Sequence, residues 1–148
     1  MAKRDARSRI RRIIDANYNR ALEGLRVCEE ITRFILDDGK LTARLKRNRH
    51  LICAAMVSRQ DRRKLLASRS TGTDVGKKIT LGLETKRGNY RDIFFANLQR
   101  VKESIRVLEE FSKLTDVEMA MRFKKIRYSV YEIEKSVAAK IRSLRNIG

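Results

Sequence analysis

Apolar residues recur every three or four positions along most of this chain, and the pattern predicts long helices. From Ile10 to Leu36, the residues Ala21, Leu25, Cys28, Ile31, Thr32 and Ile35 share one helical face. Asp37-Asp38-Gly39 ends that run, with Gly39 suited to the left-handed position after a helix. A second helix is predicted from Leu41 to Arg59, through Leu45, Leu51, Ile52, Ala55 and Met56. Asp61 to Ala67 reads equally well as its continuation or as a short third helix. Residues 68–88, SRSTGTDVGKKITLGLETKRG, break the periodicity with Gly72, Gly76, Gly82 and Gly88. A connection this long in a helical chain is more often functional than a spacer. Asn89 then has the character of an N-cap, reinforced by Asp92, and opens a helix running to Leu114. Thr115-Asp116-Val117-Glu118 has capping-box spacing and opens the last helix. Its seam is Met119, Phe123, Ile126, Val130, Ile133, Val137, Ile141 and Leu144, and its final two turns are expected to pack on another copy as a homodimer.

The pattern also repeats itself. Residues 16–30, ANYNRALEGLRVCEE, return as residues 96–110, ANLQRVKESIRVLEE. Eight of the fifteen positions are identical: Ala16/Ala96, Asn17/Asn97, Arg20/Arg100, Glu23/Glu103, Arg26/Arg106, Val27/Val107, Glu29/Glu109 and Glu30/Glu110. Chance would give about one match at ordinary residue frequencies. Leu45-Lys46-Arg47-Asn48-Arg49-His50 further aligns with Phe123-Lys124-Lys125-Ile126-Arg127-Tyr128. The expected fold is therefore all-α, a single domain over 1–148. It is a four-helix bundle of two repeated helical hairpins, about 10–67 and 89–146, with pseudo-two-fold symmetry and a long central loop.

Composition narrows the setting. The 148 residues include no proline and carry a net charge of +18, a field that attracts nucleic acid, anionic membrane surfaces or phosphorylated small molecules. No apolar run approaches the roughly 18 residues of a membrane span, and the basic start MAKRDARSRIRR lacks the apolar stretch of a signal peptide, so a cytoplasmic protein is expected. Cys28 and Cys53 sit in apolar helical patterns and, with the single His50, complete no metal motif. His50 itself is expected to be a buried or half-buried spacer.

The candidate chemistry lies in the repeat and the loop. Asn17, Arg20, Glu23 and Arg26, and again Asn97, Arg100, Glu103 and Arg106, follow one another in steps of three. Such a stripe winds slowly round a helix, starting at the edge of the core. It reads either as surface ion pairs, each worth a few tenths of a kcal/mol, or as a paired anion site. In the second case arginines clamp phosphate or carboxylate oxygens, and glutamates hold the arginines or a magnesium ion. Glu29-Glu30 and Glu109-Glu110 extend it. Polar identities kept in two places favour the ligand reading. The loop adds Arg69, Thr71, Asp74, Gly76, Lys77 and Lys78. It is not a Walker A loop: three residues separate Gly72 from Gly76 where four are needed, and Lys-Lys follows instead of Lys-Ser/Thr.

The runs IIDANYNRALEGLRVCEEITRF, LLASRSTGTDVG, NYRDIFFANLQRVKESIRVLEEFSKL and FKKIRYSVYEIE resemble the helical domain fused to the N-terminus of bacterial thiamine-phosphate synthases, a domain that also occurs alone. That domain is regarded as a hydroxymethylpyrimidine phosphate kinase unrelated to the ribokinase-like type. The resemblance, over residues 10–137, implies ATP-dependent phosphorylation of hydroxymethylpyrimidine phosphate to the diphosphate, with magnesium. It implies site positions Asn17, Arg20, Glu23, Arg26 and Glu30; Arg69, Thr71, Asp74 and Gly76; and Asn97, Arg100, Glu103, Arg106, Glu110 and Arg127. Asp74 and Glu103 are the metal candidates. Ser70 stands where many relatives carry an acid. The synthase barrel itself needs about 250 residues and is not part of the resemblance.

Two other readings stay open at this level. One is an accessory domain that docks on a separate thiamine-phosphate synthase and needs no phosphate site. The other is a basic nucleic-acid-binding helical module, against which the glutamates beside the arginines and an aromatic content of 6% both argue.

Overall fold

The computed structural model describes residues 2–56, 59–79 and 86–145. Among them it has five helices and no strand: α1 (Ala2–Phe34), α2 (Gly39–Ala55), α3 (Arg59–Ser68), α4 (Tyr90–Ser112) and α5 (Val117–Arg145). The all-α class is as expected, and of the two readings open for residues 61–67 the structure has the separate short helix, α3. Gly82 lies outside the described residues. No described helix is long and apolar enough to cross a membrane.

α1 starts at Ala2 rather than Ile10, because the Ala, Lys and Arg residues of the basic lead-in are good helix formers. At its other end, Asp37, not Gly39, takes the left-handed conformation, with φ 47°. A short polar side chain tolerates that region, and Gly39 instead begins α2. The turn is closed by the Asp38 amide donating to the Thr32 carbonyl at 2.9 Å and the Leu36 amide to Ile31 at 3.0 Å. Because the helix ends at Phe34, Ile35 leaves the apolar register and is exposed, whereas Leu36 turns back into the core. Leu51 and His50 also face solvent, one and two positions off the face carried by Ile52; His50 is not the buried or half-buried spacer expected.

Caps set the other ends. Asn89 Oδ1 accepts the amides of Arg91 and Asp92, as its position predicted. α5 is capped by Asp116, whose Oδ1 accepts the Met119 amide at 2.9 Å. Thr115 is not the cap: its hydroxyl donates back to the Ser112 carbonyl at 3.5 Å, and α5 begins at Val117, directly after Asp116. α2 is capped by Asp38, whose carboxylate accepts the Leu41 amide at 2.9 Å with Lys140 at 3.6 Å. These contacts, the amide first, hold the Asp38 carboxyl below its ordinary value near 3.8. A depressed carboxyl stabilises the fold above the unfolded value and stops doing so as pH falls through the folded one. Asp38→Ala is therefore expected to cost about 1 kcal/mol at pH 7. In urea titrations the difference from the wild type should shrink only below about pH 4.

α1 packs against α2, α3 and α4, and α5 packs against α2 and α4. The shared core includes Leu25, Leu45, Ile52, Phe94, Leu98, Ile105, Leu108, Phe123, Val130 and Ile133, all without solvent exposure. Each such side chain contributes about 1.5–3 kcal/mol by leaving water. Along α5 the predicted seam is covered within the chain as far as Ile141, and Leu144 is 42% exposed. α1 and α4 run antiparallel: Cys28 Sγ meets the Phe94 carbonyl, while Gly24 faces Asn97 and Val101. A Cβ at Gly24 would come within 2.7 Å of Val101 Cγ2 and 3.0 Å of the Asn97 carbonyl oxygen. Its counterpart in the repeat, Ser104, is small and buried. Cys28 is fully buried, which pushes its thiol up to about 12.

Candidate functional site

The repeated polar residues divide into two groups. In the first group, each copy builds the same ion-pair network. Arg26 reaches Glu29 at 3.6 Å and Glu30 at 2.9 Å, and Arg106 reaches Glu109 at 3.2 Å and Glu110 at 2.9 Å. Glu29 then accepts from Arg49 of α2 at 3.1 Å, and Glu109 accepts from Arg127 of α5 at 2.9 Å. Both glutamates are 3% exposed, and a carboxylate buried to that degree is costly unless paired. Asn17 and Asn97 likewise each donate to the carbonyl four residues back, Ile13 and Ile93, at 2.9 and 2.8 Å. Across helices, Glu29 with Arg49 joins α1 to α2 and Glu109 with Arg127 joins α4 to α5, while the other contacts of these identities stay within one helix. Arg127 is held further by donating to the Tyr131 hydroxyl at 2.9 Å and by lying over the Tyr128 and Tyr131 rings. Its charged form is favoured above the usual arginine value, first by the Glu109 hydrogen bond.

The second group is Arg20, Arg100, Glu23 and Glu103. Glu103 accepts from Gln99 within its own helix. Arg20 and Glu23 are exposed on α1, and neither has an ion pair or hydrogen-bond partner among the described residues.

Arg20 and Glu23 open onto a cleft of about 630 Å³ between α1 and the segment after α3. α1 supplies Arg9, Arg12, Asp15, Asn17, Asn19, Arg20 and Glu23, and the loop supplies Arg69, Ser70, Thr71 and Asp74. The loop is pinned at its start. Arg69 donates Nε to Asp15 Oδ2 at 2.7 Å and Nη2 to Asp15 Oδ1 at 2.9 Å, and Arg12 Nη2 donates to the Ser70 carbonyl at 3.3 Å. The Asp15 hydrogen bond raises the Arg69 pKa above its usual value. Farther on, Ser70 and Thr73 share a hydroxyl hydrogen bond at 2.7 Å, and Asp74 Oδ1 accepts the Gly76 amide at 2.9 Å. Thr71 and Asp74 are exposed, so the cleft is open to water on the loop side rather than enclosed as a water-poor site.

Of the predicted site residues, the cleft thus gathers Asn17, Arg20, Glu23, Arg69, Thr71 and Asp74, with Gly76 just beyond. Arg26, Asn97, Arg100, Glu103, Arg106 and Arg127 do not line it. A second cleft, of about 510 Å³, lies across α1 and is floored by Ile10, Ile14, Met56, Leu65 and Met119; it holds none of the predicted site residues. Asp15, Arg9 and Arg12 were missed by the sequence reading. Asp15 had a signal: it is an acid set between Ile14 and Ala16, directly beside the apolar face.

The fold places the chain among all-α proteins with an arginine-lined cleft on one long helix. It belongs to the ThiD2 family, whose model matches residues 12–136. It is similar to the thiamine-phosphate synthase of Rhodopirellula baltica, 41% identical over 133 residues that cover 90% of this chain and 35% of that protein. The thiamine-phosphate synthase of Synechocystis sp. is 43% identical over 128 residues, covering 86% of this chain and 36% of that one. The chain spans about a third of the length of these curated relatives. No solved structure matches it.

Proposed function

We propose that this chain is a phosphotransferase of thiamine biosynthesis, moving the γ-phosphoryl group of ATP onto hydroxymethylpyrimidine phosphate to give the diphosphate. The observation that carries the reading is the cleft: Arg9, Arg12, Arg20 and Arg69 surround one space that also holds Glu23 and Asp74. Phosphoryl transfer asks the protein for positioning and charge neutralisation rather than covalent chemistry. The bond from the γ-phosphorus to its bridging oxygen breaks, a phosphate oxygen of the pyrimidine substrate takes its place, and ADP leaves. Guanidinium forks suit the oxygens that carry charge through that step.

Among the described residues no three acids, cysteines or histidines cluster to cage a metal. Magnesium usually takes one or two carboxylates and completes its shell with water and substrate phosphates, so Asp74 and Glu23 fit it. There it would neutralise phosphate oxygens. Glu103 lies off the cleft, which leaves Asp74 as the better of the two metal candidates.

A second reading is favoured by one fact: the matched relatives are far longer proteins that carry the synthase name. On that reading the chain is an accessory domain that docks on a thiamine-phosphate synthase. The pairing of Arg26, Arg49, Arg69, Arg106 and Arg127 with carboxylates weighs against a nucleic-acid module. Incubation of the purified chain with magnesium ATP and hydroxymethylpyrimidine phosphate separates the first two. The phosphotransferase releases ADP only when both substrates are present; the docking domain releases none and co-elutes with a synthase.

A further inference from the structure

Asp15 is a carboxylate only 7% exposed, flanked on α1 by the core residue Ile14. A charge buried that far must have its oxygens occupied. Both are taken by one guanidinium, that of Arg69, at 2.7 and 2.9 Å, with Asn19 Nδ2 at 3.3 Å from Oδ1. Arg69 itself is not buried: its side chain is 43% exposed and lines the cleft. One edge of the fork, Nε and Nη2, faces Asp15, and its remaining N–H groups have no partner among the described residues. Arg69 thus neutralises Asp15 and still presents N–H groups to the cleft that Arg20, unpaired among the described residues, also lines. The same pair fixes where the loop begins, and so where Thr71 and Asp74 lie over α1.

We propose that Asp15 is a positioning residue of the cleft, acting through Arg69: it holds that guanidinium and the start of the loop where phosphate oxygens are received. The inference rests on the phosphate-binding reading of the cleft above, and its test does not need turnover. Binding of inorganic pyrophosphate to the full chain is measured by calorimetry for the wild type, Asp15→Asn, Arg69→Gln and the double variant. Each single change is expected to weaken binding about tenfold, and the double variant about tenfold as well, because residues acting through one contact are not additive. Trypsin should also cut after Lys77 and Lys78 about tenfold faster in each single variant. Asp15→Glu keeps the buried charge and so guards against a folding defect; its longer arm displaces the fork and should weaken pyrophosphate several-fold. A hundredfold loss in the double variant overturns the proposal, as does wild-type affinity in the Asp15 variants. Failure of the kinase reading would show separately, as absent ADP with this cycle intact.

Discussion

Arg20→Ala should lower kcat/KM for the proposed phosphoryl transfer by about a hundred- to a thousandfold, the scale seen when one preorganised charge-stabilising donor is removed. The expectation follows from what Arg20 does not do. It is exposed on α1, lines the cleft and makes no hydrogen bond or ion pair with the described residues. Its truncation should therefore leave stability within about 0.5 kcal/mol of the wild type. Arg20→Lys keeps the charge but loses the planar fork, and should fall between the two. Steady-state kinetics beside a urea titration checks both halves. A stability loss matching the activity loss would assign Arg20 to the fold instead.

Gly24→Val should cost about 3 kcal/mol, at the upper end of core overpacking, and lower Tm by about 6–12 °C for a chain of this size. The argument is the close approach of α1 to α4, where a Cβ would meet Val101 Cγ2 at 2.7 Å and a carbonyl oxygen at 3.0 Å. Val101 is fully buried and has little room to yield. Gly24→Ala should do less harm, because the better helix propensity of alanine offsets about 1 kcal/mol of the strain. Chemical denaturation with an unchanged m-value would show the loss to be in the native packing.

The helices were legible because the chain has no proline and a regular apolar period, and Asn89 marked its own cap. The misplaced details were local choices among neighbours. Asp37 rather than Gly39 took the left-handed turn, and Asp116 rather than Thr115 capped α5. A periodic pattern does not distinguish adjacent polar residues. The repeat announced itself in the sequence, but its meaning did not. Of its polar identities, Glu29 and Glu109 join helices within each half through Arg49 and Arg127, whereas Arg26 with Glu30 and Arg106 with Glu110 pair along a single helix. Arg26 with Glu30 and Arg106 with Glu110 are exposed pairs of the kind the surface alternative describes, Glu29 and Glu109 are buried, and Arg20 and Glu23 are the part that lines a cleft. Asp15 escaped notice because its partner lies 54 residues away, across α3, where no spacing rule reaches.

The most direct measurement is phosphorus NMR of the purified chain with magnesium ATP and hydroxymethylpyrimidine phosphate. ADP and a new pyrimidine diphosphate should appear in equal amounts, with the substrate monophosphate falling by the same quantity. Unchanged ATP and monophosphate, or ADP accompanied only by inorganic phosphate, would contradict the phosphotransferase reading.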